Sequence, residues 1–181
     1  MPLRVFEPRD LDMVSDGVKH DRVFGIVLLA EGPEVGSNHP TSMMKVGTLA
    51  KIVDWYQGAD GLLGITAMGT DKFRLLASER RADGLNVGKI ELLKPEPAEC
   101  VPDQYQHWPE ILRAVVDDLG KLYETIDRHY DDASWLSFRF AEVLPIDMEQ
   151  RQQCLEMENS VERLHFLQPL LRQMSDAQEM Q

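Results

Sequence analysis

Apolar residues follow two different spacings along this chain, and the spacing changes near residue 95. From about residue 23 to about residue 94, short apolar runs alternate with glycine-containing turns, which is typical of β-strands joined by hairpins. From about residue 109 onward, apolar residues recur every three or four positions, which is typical of amphipathic helices. The two blocks predict an α+β chain with the strands first and the helices afterwards.

The first block predicts one short helix followed by five strands. Apolar residues at helical spacing follow Pro8, so we expect a helix up to about His20. The expected strands cover residues 23–30, 46–56, 62–68, 72–80 and 85–93. The first strand is almost continuously apolar, which predicts burial on both faces. A loop is expected at residues 32–41, and turns are expected at residues 69–71 and at Asp83-Gly84, which is a hairpin signal.

The second block predicts a series of helices. One apolar face runs from residue 109 to residue 126 and indicates a single long helix. Ser134 can cap the next helix, which Pro145 ends, and Asp147 with Gln150 has the spacing of a capping box. Pro169 is expected to break or kink the last helix.

Four prolines mark the boundary between the blocks at positions 95, 97, 102 and 109. A segment with this composition neither continues a helix nor lies in a central strand. We therefore predict three parts. These are a β-rich domain at residues 1–94, a proline-rich connection at residues 95–108 and a helical bundle at residues 109–181 that packs on or beside the β-rich domain.

Charge and cysteine content exclude several classes of function. The chain of 181 residues has a formal net charge of −12, so it repels nucleic acid, and we expect no nucleic-acid partner. Its two cysteines, Cys100 and Cys154, do not make a disulfide framework, which favours the cytoplasm. The sequence contains neither a signal-like N-terminus nor an apolar run of about 18 residues, so we expect no membrane partner.

The sequence contains no good match to a catalytic or metal-binding motif. The segment GLNVGK at residues 84–89 has one residue too few for a phosphate-binding loop, and Ile90 cannot supply the hydroxyl that magnesium requires. The serines lie in no Gly-x-Ser-x-Gly motif. The histidines and cysteines are not spaced as adjacent metal ligands, and the paired carboxylates are typical of a solvated acidic face. We expect no catalytic residues, no metal and no cofactor.

Two groups of residues are candidates for a role in binding. Glu7 and Arg9 could form a binding pair, but the reading that they tie the first helical turn to the sheet is favoured. Met43 and Met44 are adjacent, and flexible thioethers suit apolar recognition; one buried and one exposed methionine is an equally good interpretation. Trp55 and Tyr56 alternate across a strand, so one should face the core and the other could belong to a peptide-binding patch.

Several segments resemble, in order, the N-terminal domain of the Lon protease family. They are residues 3–9 (LRVFEPR), 24–28 (FGIVL), 34–36 (EVG), 46–52 (VGTLAKI), 60–61 (DG), 69 with 72–74 (G and KFR), 144–145 (LP), 153–156 (QCLE) and 163–164 (RL). The resemblance implies a PUA-like antiparallel β pseudo-barrel followed by a C-terminal helical bundle. It also implies a module that binds protein substrates.

The resemblance further implies a free-standing form of this domain, of the kind found in bacteria. Full-length members of the family carry an ATPase module and a Ser-Lys peptidase domain, for which 181 residues leave no room. The family pattern also opens with a further strand that has no counterpart here. If that strand is missing, the sheet has an open edge that can pair with another chain.

These observations lead to one main hypothesis and two alternatives. The main hypothesis is a non-catalytic module that binds unfolded or partly folded proteins or peptides and delivers them to a protease. Met43, Met44, Trp55 and Tyr56 are the candidate client-binding surface. The alternatives are a small-molecule enzyme with a pocket in the β domain and an oligomeric structural adaptor.

Overall fold

The computed structural model describes residues 1–31, 42–58, 61–124 and 126–179. The predicted loop at residues 32–41 and the Asp60 half of the DG segment lie outside these ranges. The chain divides into two compact units, Met1–Pro95 and Glu96–Gln181, which we call the β-unit and the helical unit. The chain has a mixed α+β fold with antiparallel sheets, as the two spacings predicted.

The β-unit contains seven strands and one helix among its described residues. They are β1 (Pro2–Val5), α1 (Pro8–His20), β2 (Phe24–Ile26), β3 (Leu29–Glu31), β4 (Ser42–Met43), β5 (Val46–Gln57), β6 (Leu63–Arg80) and β7 (Asn86–Leu92). The main sheet has the order β1-β6-β5-β2, and β7 pairs with β6 beyond the end of β1. Strands β3 and β4 form a separate pair. Among the described residues this sheet is open, so the closure of a pseudo-barrel stays a prediction.

Two strand predictions are wrong. Residues 69–71 do not form a turn, because β6 runs through them as one strand of 18 residues. Its pairing with β5 shifts register between Thr48 and Ala50, so a bulge accommodates the extra residue and the strand bends without ending. The predicted strand at residues 23–30 is two short strands in different sheets, and its side chains are half-buried or exposed instead of buried on both faces.

Helix α1 forms where Pro8 predicted it and is fixed at its first turn by Arg9. The Arg9 guanidinium lies 2.7 Å from Glu7 Oε2 and donates a hydrogen bond of 3.1 Å to the carbonyl of Gly84. Gly84 belongs to the β6–β7 hairpin, where its φ of 87° suits glycine. These contacts support the structural reading of the Glu7–Arg9 pair and confirm the hairpin at Asp83-Gly84. The small core beneath α1 consists of Val5, Val14 and Ile65.

The helical unit contains four α-helices and two 3₁₀ segments among its described residues. They are the 3₁₀ segment Asp103–Tyr105, α2 (Trp108–Leu119), the 3₁₀ segment Gly120–Tyr123, α3 (Ala133–Val143), α4 (Met148–Glu156) and α5 (Ser160–Glu179). Its core is larger than that of the β-unit and is built around Trp108, Leu112, Leu136 and Leu164.

Local capping explains where the helix predictions succeed and fail. The capping box at Asp147 and Gln150 is confirmed, with both reciprocal hydrogen bonds present. The long helix predicted to residue 126 ends at Leu119, because Gly120 takes a φ of 54°. Asp132, and not Ser134, caps α3, since its carboxylate accepts from the backbone N–H of Ser134. Helix α5 continues through Pro169 instead of breaking there.

The segment predicted as a proline-rich connection at residues 95–108 contributes to the core of the helical unit. Val101, Tyr105 and Trp108 are buried there. Glu96 forms a bidentate ion pair with Arg163, whose side chain is fully buried. The three-part division of the chain at residues 94 and 108 stays a prediction. No helix in the described ranges is long and apolar enough to cross a membrane.

Candidate functional site

A cleft of about 500 Å³ lies in the β-unit. Residues of α1 and of all seven strands line it, including Leu3 of β1, Phe24 of β2, Met43 of β4 and Leu75 of β6. Most of the lining side chains are aliphatic, aromatic or thioether groups. The volume is within the range of pockets that bind small molecules or a few side chains, about 300–1,000 Å³.

Phe73 and Gly25 line the cleft, and Gly47, which is not part of the lining, packs against the same ring. Phe73 is buried, and its ring lies against Gly25 and Gly47 of the neighbouring strands. A Cβ atom on Gly47 would come within 2.7 Å of the ring carbon Cζ and within 2.6 Å of the carbonyl oxygen of Ile26. Any larger residue at position 47 would therefore displace Phe73 or the backbone of β2.

The rim of the cleft leaves apolar groups accessible to water. Val87 and Ile90 of β7 are exposed, and Met43 and Leu75 are half-buried. Exposed apolar side chains beside a cleft are typical of surfaces that bind a partner.

Three charged groups at or beside the cleft contact one another. Arg9 contacts Glu7 and Gly84, as described above, and its Nε lies 3.7 Å from Asp10 Oδ1. Partial burial raises the pKa of the Asp10 carboxyl; Arg9 opposes this shift and Glu7 adds to it. Because two carboxylates surround the Arg9 guanidinium, this group offers no uncompensated positive charge, and the apolar lining favours an apolar ligand.

The structure separates the four residues predicted from sequence. Met43 lines the cleft, whereas its neighbour Met44 is half-buried outside the lining and donates its backbone N–H to the carbonyl of Leu28 at 2.8 Å. Trp55 and Tyr56 pair with Ile65 and Gly64, so they lie on opposite faces of the sheet. Neither lines the cleft.

The expectation that either Trp55 or Tyr56 faces the core is wrong, because 59% of Trp55 and 46% of Tyr56 is exposed. A register shift between Ile52 and Asp54 interrupts the regular pairing of β5 just before them. Sequence reasoning also missed Leu75, Val87 and Ile90. The sequence indicates that both segments are strands but does not show which cavity each strand borders.

A match to a family model shows to which protein family this chain belongs. The model for the ATP-dependent protease La (LON) substrate-binding domain matches residues 1–173. The chain belongs to the LON substrate-binding domain family. This confirms the resemblance to the Lon protease N-terminal domain.

Individual relatives agree with this assignment. The LON domain fold is similar to the crystal structure of a Lon N-terminal domain protein from Xanthomonas campestris, with a TM-score of 0.74 and 28% identity over 93% of this chain and 88% of that chain. The sequence is 22% identical to Lon protease of Haemophilus influenzae over 97% of this chain and 22% of that protein. It is also 22% identical to cereblon of Xenopus tropicalis over 91% of this chain and 48% of that protein. The chain thus spans about half or less of the length of these two proteins.

The described part of the LON domain contains no cluster of three or more His, Cys, Asp or Glu side chains placed to hold a metal ion.

Proposed function

We propose that the cleft of the β-unit binds apolar segments of unfolded or partly folded proteins and that it acts without catalysis. The observation that supports this most directly is the apolar lining of a cleft of about 500 Å³ with exposed Val87 and Ile90 at its rim. Membership of the LON substrate-binding domain family supports the same role. Binding would consist of the burial of client side chains, with no covalent step.

The expected affinity is modest. Burial of one Leu, Phe or Met side chain contributes about 1.5–3 kcal/mol, and the cleft has room for a few of them. Three side chains would contribute about 5–9 kcal/mol, from which the ordering of the client segment subtracts several kcal/mol. At most about 6 kcal/mol then remains, so the dissociation constant should lie in roughly the tens-of-micromolar to millimolar range, which suits transient capture of many sequences.

Several finer features belong to the same proposal. We place Met43 in the binding surface, while Met44, Trp55 and Tyr56 are candidates for contacts outside the cleft. The β-unit would be a PUA-like pseudo-barrel, the protein would work in the cytoplasm, and its clients would pass to a protease. The last feature is suggested by relatives that are named Lon protease.

Binding should be measured by fluorescence anisotropy with a labelled, permanently unfolded protein and with its folded counterpart. Saturable binding of the unfolded form alone, little changed by salt, is the expected result, because apolar burial is not screened. Met43→Asp should weaken this binding about tenfold or more, since it places a carboxylate in the apolar cleft.

Met68→Asp is the matched control. Met68 is an exposed methionine of β6 that does not line the cleft, so its replacement should leave the affinity unchanged. Equal losses of affinity for the two variants, or no binding of the unfolded protein at millimolar concentration of this chain, would contradict cleft binding. Either result would direct attention to the small-molecule and adaptor hypotheses.

A further inference from the structure

Strand β7 is exposed, and one of its edges has no partner among the described strands. Among the strands that the structure describes, it pairs with β6 alone. All seven of its residues, Asn86–Leu92, are exposed, and Leu92 is 60% exposed. Such an edge is a template for pairing with another strand.

The hydrogen-bond register shows which residues of β7 direct their backbone groups outward. Leu93 donates its backbone N–H to Lys72, and Arg81 donates its backbone N–H to Leu85. Residues directly opposite each other in an antiparallel pair alternate between bonded and non-bonded positions. The odd-numbered residues of β7 therefore bond to β6, and the even-numbered residues direct their N–H and C=O groups to the free edge.

We propose that two copies of this chain associate through antiparallel pairing of their β7 strands, with Ile90 opposite Ile90 of the second copy. In this register the bonded pairs are Ile90 with Ile90 and Gly88 with Leu92. The intervening pairs are Lys89 with Glu91, once on each side of the symmetry axis. Directly opposite residues share a face, and their side chains approach most closely at non-bonded positions. Both pairs therefore join opposite charges.

The neighbouring symmetric registers are less favourable. Only registers that bring even-numbered residues opposite each other satisfy the outward backbone groups. A shift that centres the pairing on Lys89 places two lysines opposite each other, which is repulsive. A shift that centres it on Gly88 places Lys89 opposite Val87 and Glu91 opposite Leu85, so the charges have no partner across the interface.

The distribution of charge also favours the β-unit as the surface of association. Residues 1–95 contain 12 Lys and Arg against 13 Asp and Glu, whereas residues 96–181 contain 7 against 18. The net charge of −12 therefore lies almost entirely in the helical unit, and the β-unit taken by itself is close to neutral, so β-units repel each other little. Pairing at β7 would cover Ile90 and Leu92 and join the two sheets into one.

Charge reversal gives a direct test, with the mass measured by light scattering or sedimentation over a range of protein concentrations. The expected mass of the full chain at high concentration is twice 20.7 kDa. Lys89→Glu and Glu91→Lys should each raise the dissociation constant by roughly tenfold or more, because each creates two like-charged pairs. The double variant, Lys89→Glu with Glu91→Lys, should restore association, and so should an equimolar mixture of the two single variants.

The rescue by mixing separates a broken interface from a misfolded variant. Glu79→Lys, at an exposed position of β6, is the matched control and should leave the mass unchanged. A single-chain mass at all concentrations would overturn the proposal, as would single variants that associate normally or a double variant that fails to recover. The mass is measured without a client, so this test can succeed or fail whether or not the cleft binds one.

Discussion

The helical unit contains one buried ion pair whose removal should have a large effect. The side chain of Arg163 is 0% exposed and that of Glu96 is 7% exposed. Arg163 Nη1 donates to Glu96 Oε1 at 2.9 Å, Arg163 Nη2 donates to Glu96 Oε2, and Ser134 Oγ donates to the same Oε2 at 2.8 Å. Glu96→Gln would remove the negative charge and keep the shape of the side chain.

The loss of stability expected for Glu96→Gln follows from the environment of the Arg163 guanidinium. Burial lowers the pKa of Arg163, and Glu96 opposes that shift, so Glu96 offsets much of the cost of burying the positive charge. Removal of one partner of a buried pair costs about 3–5 kcal/mol. A unit of 86 residues has a total stability of roughly 4–13 kcal/mol. Glu96→Gln should therefore remove a large part of the stability of the helical unit.

Urea unfolding followed by tryptophan fluorescence measures this loss. Trp108 and Trp135 belong to the helical unit and Trp55 belongs to the β-unit, so Trp55→Phe gives a background in which the signal reports on the helical unit alone. With a slope of about 1–2 kcal/mol per molar urea, the midpoint should fall by about 2–4 M.

Two further variants decide whether the buried charge is the cause. Glu99→Gln is the matched control, because exposed Glu99 accepts a hydrogen bond of 2.8 Å from Ser160 but forms no described ion pair; its cost should stay near 1 kcal/mol. Glu96→Leu combined with Arg163→Met removes both charges and should recover most of the stability. The reasoning is refuted if Glu96→Gln costs no more than Glu99→Gln.

Two other predictions concern the helical unit. Cys100 is exposed and Cys154 is buried, and burial raises the pKa of the Cys154 thiol. One thiol should therefore react rapidly with a disulfide reagent and the second only in denaturant. Cys100→Ser should abolish the rapid phase, and rapid reaction of that variant would contradict the burial of Cys154. Burial and Glu142 raise the pKa of Tyr123 to about 12, so its contribution to stability is complete below pH 10 and is lost as the pH rises through 12. Tyr123→Phe should remove most of that pH dependence, and an unchanged alkaline unfolding profile would contradict it.

Local signals predicted the parts of this fold that depend on neighbouring residues. Asp147 and Gln150 satisfy each other's backbone groups within one turn, so their spacing is sufficient to find the helix. The end of α2 at Gly120 depends on a left-handed backbone conformation, which glycine permits but does not require. The predicted turn at residues 69–71 failed for a similar reason, since pairing with β5 holds these residues in one strand.

The candidate cleft depends on register, and register is not a local property. Met43 was singled out for its chemistry, and the structure places it in the lining. Leu75 and Ile90 join it because β6 and β7 pair with Leu75 opposite Ile90. A shift of one residue in either strand would turn the other set of side chains toward the cleft. Periodicity therefore identifies the strands but leaves the lining undetermined.

The segment after Pro95 shows how composition can conceal a buried site. Its prolines and acidic residues indicate a solvent-exposed connection, yet Glu96 is almost fully buried. Its partner Arg163 lies 67 positions further along the chain, so nothing near Glu96 in the sequence indicates that its charge is compensated. The segment is held in place by backbone hydrogen bonds from Ala133 to Glu99 and from Val101 to Asp131. An acidic residue in a proline-rich segment can therefore be part of the core when a distant arginine balances the cost of its burial.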